Sequence, residues 1–250
     1  MQVLAPKASD LALMATTQVS TPISAASALE RFAYVASHDM AEPLRMISGY
    51  LDLIRESYGS QLDADFDDFI MLAIDGSDRM FAYLENLRTY SRIGRLENES
   101  ERVELRALVD EALTRLTPEI EASGAEVNVG SLPSVVCERD QMTLVFESLL
   151  SNAVKFGGPG RPQIEVSCEP LPEGVDIAVA DGGIGIEPAD EERAFAMLER
   201  INGQQYPGTG MGLAIARKAI ERHGGAIWVE PGRDGGSVFR FSLPYLQTAG

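Results

Sequence analysis

The sequence predicts an α+β chain of two unlike parts, a helical hairpin followed by an α/β sandwich. Three observations carry that prediction. Apolar residues step by three and four over residues 44–58 and again over 66–91. Beyond a polar stretch near residue 100, short apolar strands alternate with amphipathic helices. At 250 residues the chain has room for two modest domains.

In the first helix Leu44, Ile47, Leu51, Ile54 and Tyr58 form the seam. Carried backwards, the same register puts Met40 and Ser37 on the seam and leaves His38 one position off it, toward solvent. Pro43 lies inside this helix and has no N–H for the carbonyl of Asp39, so it should loosen the turn around His38. After a turn around Gly59, the second helix carries Phe66, Ile70, Ala73, Ser77, Met80, Leu84, Leu87 and Ser91 at the same spacing. Two such seams cannot bury themselves in one hairpin. A homodimeric four-helix bundle with a shared core is the economical solution; the alternative is that the stripes cover another part of the same chain.

Residues 1–26, rich in Ala, Ser and Thr, read as a flexible leader with no room for a sensor domain. The hairpin occupies 27–93. Residues 94–103, polar and glycine-containing, read as a linker, and the sandwich follows over 104–246. There, Leu105, Leu108, Val109, Ala112, Leu113 and Leu116 make one helix face. Residues 127–129 and 135–137 are short strands, and 142–156 is a second helix. Residues 163–168 and 175–180 are strands, 211–223 a third helix, and 226–229 with 237–243 close the domain as strands.

A net charge of −17 argues against nucleic acid and against an anionic membrane surface as partners. No apolar run reaches the roughly 18 residues of a membrane span. Cys137 and Cys168 lack metal-ligand spacing and read as buried, reduced thiols, which points to the cytoplasm.

Four short motifs exceed what packing requires. His38 beside Asp39 can act as a phospho-acceptor, since a neutral imidazole attacks phosphorus and the adjacent acid takes or orients its ring proton. Asn152 and Lys155 share a face of the second helix, suited to a metal-bound triphosphate. Asp181 follows a strand and precedes Gly182, Gly183 and Gly185, where a carboxylate can accept from a base's amino group. Gly208-Thr209-Gly210-Met211-Gly212 feeds a helix N-terminus, where free N–H groups favour phosphate, although no Gly-Lys-Ser/Thr follows as in a Walker A loop.

In this order and spacing, the motifs resemble the catalytic core of a sensor histidine kinase, most closely the bacteriophytochrome-like branch, over roughly residues 30–245. The resemblance implies a dimerisation and histidine-phosphotransfer hairpin joined to an ATP-binding domain of the gyrase, Hsp90, histidine kinase and MutL type. It implies autophosphorylation of His38 with assistance from Asp39, followed by transfer to an aspartate of a response regulator. It further implies ATP and Mg²⁺ as cofactors. Asn152 would hold the metal, Lys155 would contact phosphate, Asp181 would hold the adenine, and Gly183 and Gly185 would shape its pocket. Gly208, Thr209, Gly210 and Gly212 would wrap the phosphates, with Arg200 a charge partner for the γ-phosphate and Phe195 leading into the lid. His223 is read as structural. The input would come from a sensor protein or a sensor domain outside this chain. Ser148 and Gly182 depart from the family, which often places an amide at both positions. They keep open a non-catalytic relative that docks a regulator or relays phosphate. Glu42 stands where many relatives carry Thr or Asn to position a hydrolytic water, which counts against phosphatase activity.

Overall fold

The computed structural model describes residues 25–59, 64–93, 99–158, 160–201, 206, 208–232 and 235–245, with side chains from Met40 onward except Ala64. The leader read over 1–26 lies almost wholly outside the described residues.

Helix α1 spans Ala25–Tyr58 and α2 spans Ala64–Arg92. The helical assignment of α1 runs through Pro43 without interruption. The two pack antiparallel along a seam of small and polar contacts. Ala41, Ile70 and Ser77 are buried, the Ser48 and Ser77 hydroxyls meet at 2.8 Å, and Arg45 lies over the Phe81 ring at 5.7 Å. This seam consumes only part of the predicted stripes. Ile47, Ile54, Tyr58, Phe66 and Met80 remain exposed, together with Met46, Tyr50, Leu53, Phe69, Met71 and Leu72.

The C-terminal end of α2 behaves differently. Ile93 is buried and Leu87 and Tyr90 pack against the core of the second domain. The helix is thus rooted in that domain by its last turns. Of the residues read as linker, 101–103 belong instead to a strand, β1 (Glu101–Glu104), because Val103 is buried in the core of the second domain.

β1 pairs antiparallel with β3 (Ser134–Cys137) as a two-stranded ribbon. The main sheet has the order β2-β4-β5-β7-β6, with β2 (Glu126–Val129), β4 (Gln163–Leu171), β5 (Gly174–Asp181), β6 (Ile227–Pro231) and β7 (Ser237–Pro244). Only β2 and β4 run parallel. Helices α3 (Leu105–Arg115), α5 (Arg139–Lys155) and α7 (Gly212–Arg222) pack together on the sheet. The short α4 (Thr117–Ser123) ends at Gly124, whose φ of +66° suits glycine, and a single turn, α6 (Glu191–Ala194), lies between β5 and α7. Phe146 of α5 meets Phe241 of β7 edge-on at 5.6 Å, and Leu105, Leu108, Leu149, Leu150 and Ile177 are fully buried around that pair. β5 is buried along nearly its whole length because strands flank it on both sides, and β7 alternates buried with half-buried residues as a strand under one helix layer should.

Helix α5 begins at Arg139, three residues before the predicted start, and α4, α6 and β1 are additions to the predicted elements. Cys137 is buried, and burial pushes its thiol up to about 11; Cys168 is only half-buried, because it lies near the end of β4 where the exposed turn begins.

His223 is structural, as its position suggested. Its Nδ1 donates to the Ala219 carbonyl at 2.7 Å, which leaves Nε2 to accept from the Glu138 N–H at 2.9 Å, fixing one neutral tautomer. Glu138, itself buried, accepts from Arg222 Nε at 3.0 Å and from Gln141. These bonds tie the end of α7 to the start of α5. His223→Leu leaves the buried Glu138 N–H without its acceptor, and a cost of about 1–3 kcal/mol is expected in chemical denaturation.

Candidate nucleotide site

α5 supplies two faces at once. Phe146, Leu149, Leu150 and Ala153 are buried against the domain core, while Ser148, Asn152 and Lys155 stand on the adjoining face and line a cavity of about 910 Å³. The cavity also takes Asp181, Gly185, Arg200, Gly208, Thr209, Gly210 and Gly212 in its wall. It extends along α4 to Glu119 and Ser123 and reaches α2 at Asn86 and Thr89. Of the residues the sequence assigned to nucleotide, only Gly183 stands back from the wall.

Gly183 has another task. A Cβ there would overlap the Phe156 carbonyl, which accepts the Ile184 N–H at 3.0 Å. The end of α5 and the loop after β5 therefore meet backbone to backbone, and only glycine permits it. Asp181 organises that loop. Its Oδ1 accepts from Gly183 N at 2.9 Å and from Ser237 N at 3.3 Å. Burial raises its pKa above the usual aspartate value, and the two backbone N–H groups partly counter the rise.

Lys155 and Arg200 bring positive charge into the same wall. Lys155 is half-buried, and desolvation first, then the nearby Arg200 charge, lowers its pKa. Its Nζ lies over the Phe156 ring at 4.6 Å, and a Cβ at Gly208 would come within 2.6 Å of it. Arg200 donates to the Tyr206 carbonyl. A buried carboxylate and two cations in one wall fit an adenine nucleotide, with the base toward Asp181 and the phosphates toward Lys155. Among the described residues no cluster of three or more His, Cys, Asp or Glu side chains offers a metal cage. A Mg²⁺ ion would thus take Asn152 and phosphate oxygens, as this oxygen-seeking ion usually does.

The glycine loop is held on both sides. Leu198 adopts a φ of +62° and donates its N–H to the Gly210 carbonyl at 3.1 Å, while a Cβ at Gly210 would overlap the Glu199 carbonyl. Thr209 Oγ1 accepts from Met211 N at 3.3 Å and from Asn86 Nδ2 at 2.8 Å. Phe195 is buried, edge-on to Phe239 at 6.3 Å with Arg217 above its ring, and anchors the segment before the loop.

The two departures from the family pattern differ in kind. The Ser148 hydroxyl is buried in the cavity wall without a partner among the described residues, and a Cβ at Gly212 would come within 2.7 Å of it. Gly182 faces open space and does not line the cavity.

Phe156, Tyr206 and Asn86 are among the contributors to the wall that were not foreseen. Tyr206 packs against Phe156 with ring centroids 4.8 Å apart and planes tilted by 54°, placing an aromatic pair beside Arg200. Asn86 belongs to the hairpin. The glycine loop and α5 were visible as motifs, but no local pattern announces a pairing across more than a hundred residues. His38 and Asp39 lie in α1, and the expectation that His38 points to solvent concerns side chains outside the described residues.

Residues 28–96 match the His Kinase A (phospho-acceptor) domain, and residues 137–247 match the histidine kinase-, DNA gyrase B- and HSP90-like ATPase family. Over 217 residues the chain is 40% identical to phytochrome-like protein Cph1 of Synechocystis sp., covering 86% of this chain and 29% of that protein. It is 34% identical over 219 residues to the methanogenesis regulatory histidine kinase FilI of Methanothrix harundinacea, covering 86% and 24%. The chain thus spans under a third of the length of these relatives. Full-length ShkA in complex with AMPPNP shares the fold, with a TM-score of 0.68 at 21% identity over 88% of this chain and 47% of that one. The catalytic domain of histidine kinase ThkA matches at 27% identity and a TM-score of 0.53, over 59% of this chain and 97% of that domain. With a phospho-acceptor hairpin and an ATPase domain in that order, and the cavity described above in the second, the chain belongs to the histidine kinases and carries their catalytic core.

Proposed function

We propose that this chain is an ATP-dependent protein histidine kinase of two-component signalling, which phosphorylates itself on His38 and passes the phosphoryl group to an aspartate of a response regulator. The observation that carries the reading is that one cavity gathers Asp181, the α5 residues Asn152 and Lys155, Arg200 and the glycine loop in its wall. Bound ATP supplies the γ-phosphoryl group, and Mg²⁺ neutralises part of its charge. Asp181 accepts from the adenine amino group. Asn152 holds the metal, and Lys155, Arg200, Thr209 and the N–H groups of the glycine loop hold the phosphates. A His38 ring nitrogen forms a bond to the γ-phosphorus as the bond from phosphorus to the departing ADP oxygen breaks, and Asp39 accepts the ring proton.

The phosphotransfer part is assigned to residues 27–93 and the catalytic part to 104–246 together with the β1 residues 101–103, with 94–100 between them. Dimerisation through the hairpin is supported by the apolar residues that α1 and α2 leave uncovered, Tyr50, Phe69 and Leu72 being among the most exposed. A cytoplasmic site of action is part of the proposal; among the described residues no helix is long and apolar enough to cross a membrane. Input is assigned to a sensor partner or to sequence outside this chain. Nothing in the comparisons favours a non-catalytic relative.

Incubation with Mg²⁺ and γ-labelled ATP should give acid-labile, base-stable label on the wild type and none on His38→Gln; label on both would remove His38 from the reaction. Because burial raises the Asp181 pKa, its acceptor carboxylate is lost as pH falls at a higher pH than an ordinary aspartate's. Nucleotide affinity should therefore weaken over that range, and Asp181→Asn should bind poorly at every pH, as read by equilibrium titration. Sedimentation should give a dimer for the wild type, with Leu72→Glu shifted toward monomer.

A further inference from the structure

The hydrogen bond from Asn86 to Thr209 spans 123 residues of sequence and brings the hairpin into the wall of the nucleotide cavity. A threonine hydroxyl has one proton to give and two lone pairs to receive with. At Thr209 both receiving positions are used, by Asn86 Nδ2 at 2.8 Å and Met211 N at 3.3 Å. The hydroxyl proton is what remains, and it sits in the glycine loop whose neighbour Gly208 abuts the Lys155 amine. A donor beside a half-buried ammonium is arranged for an anion.

The place on the hairpin matters as well. The Ser48–Ser77 and Arg45–Phe81 contacts set an antiparallel register. Continued toward the start of α1, it brings residues 38–40 level with residues 85–88. The glycine loop is therefore tied to α2 at the height of His38. Lys218 of α7 secures the next turn of α2, donating to the Tyr90 carbonyl at 3.0 Å with its Nζ over the Tyr90 ring at 4.2 Å.

Resting on the reading of this cavity as the ATP site, we propose that Asn86 is a positioning residue of that site, orienting the Thr209 hydroxyl to donate to a nucleotide phosphate. Nucleotide is then held by hairpin and ATPase domain together, and its phosphate end is retained at the level of the acceptor histidine.

The test is a double-mutant cycle on the full chain with Mg²⁺ and a fluorescent ATP analogue. Asn86→Ala should raise Kd about 3- to 10-fold, the worth of one hydrogen bond. Thr209→Val should do the same, and the double variant should be no worse than either single one. In autophosphorylation, Asn86→Ala should raise KM for ATP more than it lowers kcat, with an unchanged thermal midpoint. Additive losses, or wild-type Kd in Asn86→Ala, would overturn the proposal. So would tighter binding with faster labelling, since Asn86 would then be a resting clasp. A wild type that binds no nucleotide at all overturns the ATP-site reading itself, a result distinct from a variant that matches a binding wild type.

Discussion

The burial of one face of α5 against the domain core is the constraint on which the rest of the molecule depends. Phe146, Leu149, Leu150 and Ala153 have essentially no exposure, so the helix can neither rotate nor slide without opening a cavity at a cost of several kcal/mol. That fixes the direction of the neighbouring face, on which Ser148, Asn152 and Lys155 meet the cavity at one-turn intervals. The Phe156 carbonyl at its C-terminal end receives the loop that presents Asp181 and Gly185. Its N-terminal end is held by His223 and Arg222 from α7, the helix into which the glycine loop runs. One packed helix thus sets the positions of three otherwise separate parts of the cavity wall.

The hairpin is constrained in a less complete way. Its intrachain seam is narrow and partly polar, closed by Ser48, Ser77 and the edge of Arg45 on Phe81, whereas the last turns of α2 share the core of the second domain through Ile93, Leu87 and Tyr90. The two ends of the same helix therefore face different demands. One end awaits apolar cover, and the other is already anchored. Of the two readings of the helical stripes that the sequence left open, cover by another part of the same chain holds for the last turns of α2, and the exposed apolar residues nearer the turn are what the dimer reading requires.

Much of this was legible in the sequence because it is periodic or local. The stripes of α1, α2, α3 and α5 follow from side-chain spacing, and the glycine motifs after β5 and before α7 announce loops that must pass close to other backbone. The elements that escaped notice are short or depend on distant partners. β1 has a single inward residue, Val103, and is a strand only because β3 lies beside it. α4 buries no residue fully and has no apolar face to detect. Phe156 with Tyr206 and Asn86 with Thr209 acquire their roles only when the chain folds, and nothing adjacent to them in sequence carries the signal. The early start of α5 has the same origin, since the Glu138 N–H that opens it is satisfied by His223, 85 residues away.

The paired cations at the cavity stand out against the charge of the whole chain. A protein of net charge −17 repels small anions over most of its surface, yet Lys155 and Arg200 lie close enough to disfavour one another. That repulsion is relieved when an anion enters between them, so part of the attraction is prepared in advance by the fold. The surrounding negative field acts over longer distances and is screened by salt within roughly 8–10 Å at physiological ionic strength. Lys155 and Arg200 thereby form a local patch of positive charge, recessed in a cavity of an otherwise acidic molecule, that an anion must be small enough to enter the cavity to reach. Selection by size and selection by charge are the same event in such a site.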